Sequence, residues 1–229
     1  MKISVPHLLT FNGGYTDTAG FLAIQGLFTA HVTGNFVTLA ASLTAGGSGA
    51  LVKLLALPVF CLVVGLSRFY SSTSKQDDAS VFNTLVTVKI GLFVVAATVA
   101  ITLGPFNNAD DTAALVTGMA LVAGMAIQNS VHRIFFSKAP PTTLMTGSTT
   151  QIMMDLADLM RADLSREVSL ATRVRVVTLL KSVGCFAFGC AAAAFLYMAA
   201  DRMVLLIPPL ISAVAFIPRR HAVGIPARR

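Results

Sequence analysis

Charge is scarce in this chain: Asp, Glu, Lys and Arg supply 12% of its 229 residues, about half the share found in an ordinary soluble domain. With 55% hydrophobic residues and a mean hydropathy of +0.77, a water-soluble globular fold does not fit. Cysteine is equally sparse. Cys61, Cys185 and Cys190 all lie in apolar stretches, and the last two, five residues apart, fall on different faces of a helix. Neither a disulfide framework nor a zinc site is readable. No Pro-rich or Ser-rich linker breaks the sequence, so residues 1–229 are read as a single membrane domain. Also missing are a Walker phosphate loop, a dinucleotide fingerprint, an HExxH pair and a Gly-x-Ser-x-Gly elbow. The chain is therefore not read as an enzyme, and no catalytic, metal or cofactor site follows. The excess of positive charge, +7, falls in short clusters between long apolar runs. That is the pattern of membrane topology and not of nucleic-acid binding.

What is present is apolar length. Six segments, roughly 8–30, 50–70, 84–104, 112–134, 176–199 and 202–218, are each near the length that crosses about 30 Å of hydrocarbon. The N-terminus carries one basic residue, Lys2, and runs into Asn12-Gly13-Gly14-Tyr15-Thr16-Asp17 without a cleavage signature, so it is read as a retained first span. Two shorter pieces, Thr33 to Ala45 and Thr146 to Met160, have helical composition but reach only about 20 Å at 1.5 Å per residue.

The basic residues decide how these short pieces are used, because short cytoplasmic loops hold the excess of Lys and Arg. If both are re-entrant, Lys2, Arg68, Lys75, Arg133, Lys138, Arg161, Arg166, Arg173, Arg175, Arg219, Arg220, Arg228 and Arg229 all lie on the cytoplasmic side. Arg202 is then the basic residue of an outer loop, while Lys53, Lys89 and Lys181 sit near span ends, where they snorkel. If both cross, segment 68–83 moves to the side opposite the tail and the fit worsens.

Three crossings per half would place the second half upside down relative to the first, as two inverted repeats over 8–104 and 112–218. Gly14-Tyr15-Thr16-Asp17 followed by Phe28-Thr29-Ala30-His31-Val32-Thr33-Gly34-Asn35 has a counterpart in Ala126-Ile127-Gln128-Asn129 followed by Pro141-Thr142-Thr143-Leu144-Met145-Thr146-Gly147-Ser148. The two registers differ by one residue. In each half a polar residue within an apolar helix precedes a Thr-Gly-polar start to the short helix.

These blocks, together with Gly20-Phe21 and with Arg133 following Gln128-Asn129, make the chain resemble the YoaK-like bacterial membrane proteins, a domain-of-unknown-function family. The resemblance covers nearly the whole chain, and Ala126 stands where the pattern has Gly. It implies a bacterial inner-membrane protein and supplies no activity, substrate or cofactor.

The expected fold is all-α and polytopic, with six spans and two re-entrant half-helices, both termini being cytoplasmic. Helices that begin inside the membrane expose backbone N–H groups that lipid cannot satisfy. Thr33 and Thr146 are expected to cap them, while Gly34 and Gly147 admit close approach. Facing N-termini would form a positive focus near the midplane, as in broken-helix transporters. The candidate substrate-binding residues are Asp17, His31, Thr33, Gly34, Asn35, Gln128, Asn129, Thr146, Gly147 and Ser148. Asp17 is costly inside a span and is expected to gate or carry a proton, unless it lies close enough to the surface to be hydrated. His31 has a proton or anion role set against a packing role, and Gln128 and Asn129 a site role against interhelical bonding. Arg133 and Lys138 read as ordinary cytoplasmic charge, Met145, Met153, Met154 and Met160 as packing residues, and the charged stretch 155–175 as a solvated face.

The expected function is secondary transport of a small solute, with an anion the form that the dipoles favour. The alternative is a non-transporting scaffold or assembly protein whose polar motifs only hold helices together. The partners are the lipid bilayer and that solute, and homo-oligomerisation is compatible with the sequence.

Overall fold

The computed structural model describes residues 4–45, 47–161 and 165–216. Among them every regular element is a helix: α1 (Val5–Ala23), α2 (Gly34–Ala45), α3 (Ala50–Thr73), α4 (Asp78–Leu103), α5 (Thr112–Phe135), α6 (Thr146–Leu159), α7 (Arg166–Ala200), a 3-10 helix (Asp201–Leu206) and α8 (Ile207–Phe216). Four stretches are long and apolar enough to cross a membrane: α3, α4, α5 and the run Arg166–Ala215. Their outer faces present Leu62, Phe69, Val174 and Phe195 at 62%, 67%, 67% and 73% exposure, an apolar surface that lipid covers and water does not.

α5 is the central helix. Its most apolar stretch is 78% buried by protein, against 22% for α3 and 39% for α4. It packs on α3 and α4, while α1 packs on α7 and α8; α2 lies along α3, and α6 along α7. The crossings rely on missing side chains. A Cβ on Gly14 would lie 2.2 Å from the Phe186 carbonyl oxygen, and one on Gly189 would lie 2.2 Å from that of Phe11. On α5, Gly124 receives the Phe93 ring, and Gly118 receives Leu27 and Val52. Around these contacts Tyr15, Ile24, Leu27, Leu121, Met125 and Leu205 close one apolar core.

Local chemistry sets the ends. The Asp77 side chain accepts from the Ser80 N–H at the start of α4, and this bonding holds the Asp77 carboxyl below the usual carboxylate range. Ser165 caps α7 through the N–H of Val168. At 35 residues, α7 is about 52 Å long, longer than about 30 Å of hydrocarbon requires.

Several expectations change here. The first apolar segment, read as 8–30, is helical only to Ala23: Gln25 and Gly26 take φ of 43° and 90°, and the chain turns back. The segment read as 202–218 begins as a 3-10 helix after Asp201 (φ 48°), and α8 starts at Ile207-Pro208-Pro209, where a first turn tolerates proline. Neither Lys53 nor Lys89 snorkels: Lys53 is 4% exposed with its Nζ on Ser42 Oγ, and Lys89 is 1% exposed near the middle of α4. Asp155 is not on a solvated face: it is fully buried and held by Arg175 at 2.5 and 2.7 Å. Met153, Met154 and Met160 are exposed rather than packed. The calls on Lys2, Arg219, Arg220, Arg228 and Arg229, and the Asp163 part of the charged stretch, lie outside the described residues.

Candidate functional site

Where α1 ends, the backbone of residues 24–33 folds back on it. Gly20 makes this possible, since a Cβ there would meet the Thr29 methyl at 2.5 Å. The fold-back delivers two backbone N–H groups to Asp17: its Oδ1 accepts from Thr29 N and Ala30 N, both at 2.7 Å, and from the Thr29 hydroxyl at 3.3 Å. Its Oδ2 lies 2.5 Å from His31 Nδ1. Asp17 is 4% exposed, so hydration does not explain it; the carboxylate is the anchor of a loop that has no ladder or helix to satisfy its own donors. A carboxylate can only accept, so His31 Nδ1 donates to it.

Asn35 closes the same loop from the other end. Its Oδ1 accepts from Phe28 N and its Nδ2 donates to Phe28 O, each at 2.8 Å. The first N–H groups of α2 go to carbonyls three residues back, Gly34 to His31, Asn35 to Val32 and Phe36 to Thr33. Tight backbone turns thus do the capping expected of the Thr33 hydroxyl. At α6 the residue before the helix is Met145, with no side-chain cap, and Thr146 is the first helical residue rather than the cap.

A single bond of similar span occurs further along the chain. Asn129 on α5 accepts the Thr143 hydroxyl at 2.8 Å, fourteen residues ahead, the same separation as between Asp17 and His31. Gln128 points elsewhere, bonding Leu9 O and Lys89.

Between the halves lies a cleft of about 550 Å³, within the range of small-molecule sites. Asp17, His31, Thr33 and Gly34 form its polar side, Thr146 and Cys190 add to it from α6 and α7, and Phe21, Phe28, Phe186 and Leu144 supply an apolar wall. The His31 ring stands edge-on to Phe28 and Phe186, at 6.1 and 5.7 Å between centroids. Of the ten candidate residues, Asp17, His31, Thr33, Gly34 and Thr146 meet in this cleft. Asn35, Gln128 and Asn129 use their polar atoms within the fold, a Cβ on Gly147 would meet open space, and the Ser148 hydroxyl is buried without a partner. The aromatic wall and Cys190 were missed by sequence reasoning, because a Phe or Cys in an apolar helix carries no signal that separates cleft from core.

The chain belongs to the family described as protein of unknown function (DUF1275), which matches residues 5–217. The YoaK-like resemblance is consistent with this. No curated protein and no solved structure matches it.

Proposed function

We propose that this protein is a secondary transporter of a small solute, with an anionic group favoured, working in the bacterial inner membrane with both termini cytoplasmic. In this reading α2 and α6 are re-entrant, six crossings surround them, and residues 8–104 and 112–218 are inverted repeats that rock against one another. The observation that carries the proposal is the single cleft bounded by the starts of both short helices and holding the Asp17–His31 pair. Its polar side suits a charged group and its phenyl rings an apolar body.

The packing supports the repeat. Exchanging α1 with α5, α2 with α6 and α3 with α7 carries the α1–α7 contact into the α5–α3 contact and the α2–α3 contact into the α6–α7 contact. In each half a basic side chain near the start of the long helix ties down the short one: Lys53 Nζ to Ser42 Oγ at 2.6 Å, and Arg175 to Asp155. The scaffold reading draws on a different fact, that Asn35, Gln128 and Asn129 are consumed by internal bonds.

Two measurements test the proposal. Purified protein is screened by thermal shift against small carboxylates, sulfate and phosphate, with and without an apolar body. A solute at a hundred times its Kd should add about 2.7 kcal/mol, a rise of about 5–10 °C for a chain of this size, and His31→Gln should abolish that rise. If no solute in the set raises the melting temperature, the scaffold reading takes over. Single cysteines at Gly47 and Ser72, in a cysteine-free background, are labelled in intact cells with an impermeant thiol reagent. Labelling at 47 and not at 72 is expected; the reverse would end the inverted-repeat reading.

A further inference from the structure

A second polar cluster lies away from the cleft, where α1, α4, α5 and α8 meet. Lys89 stands near the middle of α4 and is 1% exposed. Its Nζ is 2.6 Å from Gln128 Oε1 on α5 and 5.3 Å from the centre of the Phe93 ring. Gln128 Oε1 also accepts from Asn12 Nδ2 of α1 at 3.4 Å, and the same Asn12 nitrogen reaches Ser212 Oγ of α8 at 3.3 Å. Asn12 Oδ1 is buried with no partner. Beside the cluster is a void of about 10 Å³ bordered by Lys89, Gln128 and Ser212, close to what one water needs.

The groups that face Lys89 from the packed elements are all neutral: Gln128 from α5, Asn12 from α1, Ser212 from α8. The nearest titratable side chain along α5, His132, turns its Nε2 to Ala139 O. The 3-10 helix brings Asp201 and Arg202, which pair with each other at 3.0 Å at the Gly104 end of α4, about 22 Å along the helix from Lys89. Among the described residues no carboxylate forms an ion pair with Lys89.

A lysine held between helices without a counter-ion is costly, and a methionine would fill the space at less cost. What only an amine adds is exchange of a proton. We propose that Lys89 is a proton-binding site between the two halves of the molecule. Its amine takes one proton from hydronium, leaving water, and later gives it back to water as hydronium, so that one N–H bond forms and breaks and nothing else changes. The ammonium has three donors: Gln128 Oε1 takes one, and the void beside it has room for a water to take another. The inference goes beyond the transport reading and does not need the cleft to hold a solute.

The test uses the full-length protein in proteoliposomes on a solid-supported membrane, in buffers free of any solute beyond salt, with a rapid pH jump and a record of transient current. Native protein is expected to give a brief charge displacement without steady current. K89Q and K89M should lose it while remaining monodisperse and helical; K89M keeps the test open if the glutamine variant does not fold. K138Q, which removes an exposed charge away from the cluster, should keep it. Persistence in K89Q or K89M overturns the proposal. So does a native protein that gives no transient at all.

Discussion

Replacing Gly14 by alanine is expected to prevent the central crossing from closing. The single added methyl would sit 2.2 Å from the Phe186 carbonyl oxygen and 3.1 Å from Cys190 Sγ. The first obstacle is backbone in the middle of a long helix, so no side-chain rotamer relieves it. Overpacking costs typically about 1–3 kcal/mol, and a backbone obstacle puts this case at about 3 kcal/mol, a fall in melting temperature of about 6–12 °C. Gly189→Ala should behave alike, because its methyl would strike Phe11 O from the other side of the same crossing. Gly147→Ala is the contrast: nothing lies within 4 Å of its Cβ, and alanine in a helix is favoured over glycine. Thermal unfolding of the three variants in detergent, read with size-exclusion profiles, decides. Equal stability of Gly14→Ala and Gly147→Ala would contradict the crossing described here.

Asp17 separates folding from function through two substitutions. Asp17→Ala strips the partner from Thr29 N, Ala30 N and His31 Nδ1 at once. Each buried donor left without an acceptor costs about 1–3 kcal/mol, so a loss of at least about 3 kcal/mol is expected and the 24–33 loop should detach. Asp17→Asn keeps Oδ1 for the two backbone donors and presents an NH₂ group to His31. The imidazole must then accept at Nδ1 and carry its proton on Nε2. Stability should stay within about 1.5 kcal/mol of native, while any solute-induced thermal shift is lost and its pH dependence altered. Nitrogen-15 shifts of histidine-labelled protein report the tautomer directly. An Asn variant with native tautomer and native solute response would remove Asp17 from the mechanism.

The long helices were legible because apolar length is a local property of the sequence, and the short ones because a stretch of about 13 residues is visibly too short to cross. Asp17 stood out by the cost of an acidic group inside an apolar helix, and His31 by its place two residues before the Thr-Gly motif. Their mutual bond was not legible, since it depends on the turn at Gln25 and Gly26 and on the missing side chain of Gly20. Lys89 was misread for a related reason. A helix as uniformly apolar as α4 has no polar face against which to judge the direction of one lysine, so only the positions of α5 and α8 tell burial from snorkelling. Asp155 was misread because a mixed-sign stretch looks solvated until Arg175, on a different helix, is seen to reach back to it.

The helices α1 and α5, each with four buried polar side chains, are also the ones that depend most on protein rather than lipid for company. For α1 that company comes late: Cys190, which donates to Gly14 O, lies 176 residues further along the chain. On the proposed six-span topology, α1 enters the bilayer with Asn12 and Asp17 before α7 and α8 exist to enclose them. The nascent chain would hold its first helix at the insertion machinery, or loosely against α3 and α4, until the last helices arrive. Truncation after α6 should leave an α1 that proteases and insertases still treat as unfinished.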